Sequence, residues 1–226
     1  MTLTTAYAAL AAGVIVWATL VSRLRAKPWQ TRDAIGALRE GGPTELPPAR
    51  IGLVIFLAVV TSLFGLFITA YHMRMVDGMQ TGDWRHFPMP GLLWANTAAL
   101  MLASGAMQWA RAAAERGERE PLRIRLAAGG AFTLVFLAGQ LVAWSEVRGT
   151  EYFAAGNPAI AFFYLLTAVH GLHLVGGLAV WAWTLRRLGM PGVQPLESRL
   201  TVGLCTLYWH YLLLVWLVLF GLLLST

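Results

Sequence analysis

Six stretches of this sequence, residues 1–22, 51–73, 86–110, 126–145, 152–185 and 200–226, contain no Asp, Glu, Lys or Arg. A helix of about 20 apolar residues crosses a hydrocarbon core of roughly 30 Å, and each stretch reaches that length. Within lipid a backbone must satisfy its own N–H and C=O groups, so such stretches become helices. The expected fold is therefore all-α: a polytopic membrane helix bundle with six transmembrane helices. Composition agrees, since 58% of residues are hydrophobic and 12% charged, against roughly 25% charged in soluble domains.

The 17 basic residues fix an expected orientation. The connections 23–50, 111–125 and 186–199 carry six, five and three of them, whereas 74–85 carries two and Arg148 stands alone on the last. Basic loops stay in the cytoplasm. Both termini are then expected on the periplasmic side of a cell inner membrane, and the first stretch, followed by Arg23, Arg25 and Lys27, reads as a retained anchor rather than a cleaved signal. The charge of +6 follows from this asymmetry and from anionic headgroups, which removes the case for a nucleic-acid partner. Arg outnumbers Lys 16 to 1, a codon-bias hint of a bacterial source.

Organisation along the chain follows from the connections. Residues 1–22 form an N-terminal transmembrane helix, 23–50 a cytoplasmic linker, and 51–226 a five-helix bundle joined by short loops. Within the linker, Thr31 is placed to cap a short helix that Gly41 and Gly42 stop. Tyr71, Trp84, Trp144, Tyr152 and Trp181 fall near predicted span ends, where amphipathic rings favour headgroup depth. Small residues mark expected helix contacts: Ala103, Ser104, Gly105, Gly129 and Gly130, and in the fifth stretch Gly171, Gly176 and Gly177. The single Cys205 lies inside the last stretch and allows no intrachain disulfide.

With no ionisable acid or strong base inside the predicted spans, an ion path or proton relay loses its usual carriers, and a transporter reading loses support. The interior polar residues are Asn96, Gln108, Gln140, Thr167, His170, His173, Thr206 and His210. His170 and His173 sit three residues apart on one side of a helix, and with His210 they supply three nitrogens. Against metal ligation, an axially held haem needs ligands from opposite faces, and no carboxylate lies at that depth to orient an imidazole. Interhelical hydrogen bonding, contact with lipid or a partner, and ligation are the three roles these side chains leave open.

The stretches FFYLLTAVHGLHLVGG (162–177) and LYWHYLLLVWLVLF (207–220) resemble the two most recognisable segments of the cytochrome c oxidase subunit 3 family, the third core subunit of haem–copper oxidases. Residues 49–75 resemble the helix that opens the family's bundle, PGLLWANTAAL (90–100) the next one, and NPAIAFFYLL (157–166) the lead into the histidine helix. The likeness covers about residues 49–226.

The resemblance implies a non-catalytic subunit of a bacterial-type terminal oxidase, in which oxygen reduction is coupled to proton translocation. It implies no haem or copper in this chain, those belonging to partner subunits. The partners would be oxidase subunits 1 and 2 in a hetero-oligomer, with bound phospholipid held in a cleft. Arg50, His170, His173, His210 and Trp209 are then the expected lipid or subunit contacts. Three family carboxylates are missing: Ala58, Val59 and Val60 replace an Ala-Ser-Glu, Leu213 stands for an Asp, and Gly203 for a Glu. A family branch associated with nitric oxide reductase shares the fold, and an independent haem- or metal-binding membrane protein is the reading from another class.

Overall fold

A computed structural model describes residues 48–85, 88–150, 153, 157–189 and 195–225. The predicted helix 1–22, most of the linker with its Thr31 cap, His86 and Tyr152 lie outside them. All described secondary structure is helical, in five long elements: α1 (Pro48–Thr81), α2 (Leu92–Arg116), α3 (Arg119–Arg148), α4 (Pro158–Leu188) and α5 (Pro195–Leu224). Four of these, all but α2, are long and apolar enough to cross a membrane. Helix α2 has 25 residues, or about 37 Å at 1.5 Å per residue. Its apolar character is diluted by Asn96, Thr97, Ser104 and Gln108 and by the charged last turns Arg111, Glu115 and Arg116.

The chain divides into two units, Met1–Ala70 and Tyr71–Thr226. The described part of the first is helical from Pro48, so Arg50 lies inside the first turn of α1 rather than at the end of a linker. Here Thr61, Ser62 and Thr69 donate their hydroxyls to the carbonyls of Leu57, Ala58 and Gly65, four residues back. That local bond satisfies a hydroxyl on an apolar helix. Ile51, Ile55, Phe56, Val59 and Leu66 are exposed on the same segment.

The second unit is a ring of four helices in which α2 packs on α3, α3 on α4, α4 on α5, and α5 back on α2. Local chemistry sets its corners. Gly117, with φ of 76°, ends α2 in the left-handed conformation, and Glu118 N–H donates to Ala113 O at 3.0 Å, so two residues suffice to turn the chain into α3. Asn157 caps α4 by accepting from Ala159 N–H, and Pro158 follows in the first turn, where no amide hydrogen is needed. The same Asn157 pairs with the backbone of Arg85, accepting at 3.3 Å and donating at 2.6 Å, which ties the α1–α2 connection to the start of α4.

Helix α1 runs eight residues past its predicted end at 73, through Arg74 and Asp77. Beyond it the chain folds back: Trp84 N–H donates to Gly78 O at 3.1 Å, and Asp83 accepts from Arg74 and from the Thr81 hydroxyl. Tyr71 and Trp84, expected at headgroup depth, are buried instead, edge-on to one another at 5.2 Å, with Tyr71 also edge-on to Phe162 at 5.4 Å.

Candidate functional site

The residues that can carry function divide between the core of the four-helix unit and one outward seam. In the core, three threonines act as polar joints. Thr97, Thr133 and Thr167 each donate the hydroxyl proton to a carbonyl four residues back, at 2.8, 2.8 and 2.6 Å. The oxygen of each then accepts an indole N–H from another helix at 2.9 Å: Trp216 to Thr97, Trp209 to Thr133 and Trp144 to Thr167. A fourth indole, Trp181, reaches the Leu126 carbonyl at 2.8 Å. Such interhelical bonds average about 0.6 kcal/mol in membrane bundles, so their value lies in fixing register as much as in stability.

These bonds correct two expectations. Trp144 and Trp181 are joints between α3 and α4 and not simple belt residues. Trp209, expected to meet lipid or another subunit, is 1% exposed and holds α5 to α3. Its indole sits among apolar side chains, where an N–H needs a partner, and Thr133 supplies it.

The three histidines go to different environments. His170 is fully buried, edge-on to Phe136 at 5.8 Å and tilted over Trp216 at 5.3 Å, so it too meets neighbouring helices and not an outside surface. His173 bonds through Nδ1 to the Val169 carbonyl at 2.7 Å, while the Tyr208 hydroxyl donates to the His173 carbonyl at 2.9 Å. His210 lies on the α2–α5 seam, where Nδ1 meets the Ser104 hydroxyl and Nε2 lies 3.3 Å from Gln108 Oε1. His210 and Gln108 are exposed outward. Among the described residues, no three His, Cys, Asp or Glu side chains come together as a ligand set.

Of the glycines singled out in α4, one marks a close helix approach and two do not. Gly177 faces Tyr208, whose ring carbon would lie 2.7 Å from an added Cβ; Gly171 has only an ordinary 3.7 Å neighbour, and Gly176 has none within 4 Å. Among the described residues nothing packs against Gly176, which lies on an outward face of α4. The tightest positions are Gly139 against the Asn96 side chain and Gly130 against the Trp181 indole, and Gly129 lies close against Met107. Sequence reasoning missed Gly139, Thr97 and Thr133. The signal available was a hydroxyl or glycine within an apolar helix that also has tryptophans at mid-span on its neighbours.

The chain matches the family model for cytochrome c oxidase subunit III over residues 43–224. It is 31% identical over 173 residues to the cytochrome c oxidase subunit 3 of Synechocystis sp., covering 75% of this chain and 72% of that one. To the probable cytochrome c oxidase subunit 3 of Mycobacterium tuberculosis it is 30% identical over 177 residues, covering 75% and 84%. With the subunit 3 of Thermostichus vulcanus the identity is 27% over 186 residues, covering 79% and 88%. A family model that covers residues 43–224, with relatives at 30% identity or more over most of both chains, settles the family: the chain belongs to the cytochrome c oxidase subunit III family.

Proposed function

We propose that this multi-pass membrane protein serves as a non-catalytic subunit of a bacterial haem–copper terminal oxidase, packing against subunit 1 beside subunit 2 and holding phospholipid. The observation that carries this reading is the family match over residues 43–224. Membership makes the chain a haem–copper oxidase subunit in a hetero-oligomeric complex; which subunits it touches, and the lipid, are the finer part of the proposal. Six spans are included, counting residues 1–22 and α2, with both termini periplasmic and the complex in the inner membrane. Support for α2 as a span comes from its length and from Trp94, Met101, Leu102 and Trp109, which it exposes outward.

The chain's role is structural in this reading, with haem and copper resident in the partners. Arg50 and the outward cluster of His210 and Gln108 are the residues assigned to lipid or subunit contact, with half-buried His173 on the α4 side. A guanidinium in the first turn of α1 suits a phosphate, which it can bind through two parallel hydrogen bonds. The test is purification of the tagged chain from its native membrane in mild detergent. Recovery with haem–copper subunits, and no Soret absorption from the chain expressed alone, is the expected result. Recovery alone, or with haem at one per chain that His170→Ala abolishes, overturns the proposal. Recovery with a nitric oxide reductase moves the assignment to that branch of the family.

A further inference from the structure

Two amide side chains in the four-helix core stand apart from the joints described above. Gln140 on α3 is 3% exposed, and neither its Oε1 nor its Nε2 has a hydrogen-bond partner in the protein. Asn96 on α2 is equally buried, and its Nδ2 has none. They belong to one level of the bundle. The Asn96 side chain lies directly against the backbone of Gly139, the neighbour of Gln140, where an added Cβ would overlap its Oδ1. Gln140 also sits four residues after Phe136 on the buried stripe of α3 and four before the half-buried Trp144; Phe136 faces His170 and Trp216, and Trp144 bonds Thr167. The adjacent Thr97 holds Trp216. Asn96 from α2 and Gln140 from α3 thus share one level, and Phe136, about one turn before Gln140, packs against His170 of α4 and Trp216 of α5.

An amide left unpaired in such surroundings is costly, and membrane interiors leave no outside water to relieve it. Between them, Gln140 Oε1 and Nε2 and Asn96 Nδ2 present two acceptor lone pairs and four N–H donors. A buried water typically makes about three hydrogen bonds to polar groups of this kind. We propose that the level between Asn96 and Gln140 is a water-binding site, in which about one or two ordered waters bridge the two amides and hydrate the core of the four-helix unit. The ligand is water and not an ion, because the unpaired groups that would bridge it are the neutral amides of Asn96 and Gln140. The site stands apart from the exposed cluster of His210 and Gln108.

The test uses the full-length chain in lipid bilayers, labelled selectively with nitrogen-15 asparagine and glutamine. Only Asn96 and Asn157 then contribute asparagine signals, and Asn157, bonded to the Arg85 backbone, is the internal reference. Water-edited solid-state NMR reads transfer from water to each side-chain amide. The expected result is rapid transfer to Asn96 and Gln140, with transfer to Asn96 falling several-fold in Gln140→Leu because the bridging water loses its second anchor. Amides that stay dark over a mixing time at which Gln80, exposed at the end of α1 beyond the predicted span 51–73, has fully built up would overturn the proposal. Unchanged transfer to Asn96 in Gln140→Leu would also overturn it. If Gln140→Leu does not fold, the wild-type transfer decides alone.

Discussion

Replacing Gly130 by Ala tests whether the α3–α4 contact is set by backbone approach. A Cβ at this position would overlap the benzo edge of the Trp181 indole, Cζ2, Cε2 and Cη2. The ring cannot simply swing aside, because its Nε1 donates at 2.8 Å to the carbonyl of Leu126, four residues earlier on the same α3 groove. Overpacking of this kind costs about 1–3 kcal/mol, and displacement of the indole adds an interhelical bond of about 0.6 kcal/mol. The better helix propensity of Ala offsets about 1 kcal/mol. The net loss centres on about 1.6 kcal/mol, roughly 15-fold in the folding equilibrium. Gly176→Ala is the matched control: with no heavy atom within 4 Å of its added Cβ, only the propensity term acts, and stability rises by up to about 1 kcal/mol. Helix content during titration with dodecyl sulfate in mixed micelles measures both. On a Trp181→Leu background the cost of Gly130→Ala should shrink, because the space is then open. Equal shifts for Gly130→Ala and Gly176→Ala would refute the reasoning.

Three further outcomes follow from other contacts. In a double-mutant cycle of Trp209→Phe and Thr133→Val, read by the same titration, the coupling should be favourable and about 0.6 kcal/mol, within a ceiling of about 1.7; zero coupling would mean that the bond does not join α5 to α3. Arg74, and next the Thr81 hydroxyl, hold the Asp83 carboxyl below its ordinary value by hydrogen bonds, so its contribution is full above the ordinary carboxylate range and disappears as pH falls through the lowered value. The stability gap between the wild type and Asp83→Asn should therefore close on acidification, and a gap independent of pH would remove this pair from the account. For orientation, on a Cys205→Ser background, impermeant maleimide added from the periplasmic side should label Gln80→Cys and Thr150→Cys and spare Ala37→Cys, Glu118→Cys and Gly192→Cys; the reverse pattern would invert the proposed topology.

How much of this was legible in the sequence depends on which property lipid leaves readable. Uncharged length locates the helices, and all five predicted runs within the described residues contain one. Their ends moved because ends are set by particular groups: Gly117 by its left-handed turn, Asn157 by its cap, and the end of α1 by the Arg74–Asp83 fold-back. The faces were not legible. A helix apolar all round carries no amphipathic stripe to say which side is buried, so Trp209 could not be told from a lipid-facing tryptophan, nor outward Gly176 from packed Gly177. Gly139 and Thr133 become visible only when Asn96 and Trp209 from other helices are set against them. The histidines mark the same limit: spacing put His170 and His173 on one side of α4, while the neighbours that separate their roles, Phe136 and Trp216 for one and the Val169 carbonyl for the other, belong to packing.

The joints of the four-helix core have a common electrical property. In each threonine–tryptophan pair the hydroxyl proton goes to the threonine's own helix and the oxygen accepts from an indole, and neither group titrates in the range where a membrane protein works. Helices held this way gain specific register without a charge at membrane depth, where ionised groups are costly. At two positions that the resemblance sets against family carboxylates, Val60 is buried and Gly203 has no described heavy atom within 4 Å of an added Cβ. A glutamate at 203 would meet space, whereas one at 60 would need a partner for its charge or remain protonated. The threonine–tryptophan joints therefore hold the register of the four-helix unit through groups that do not change charge as pH varies.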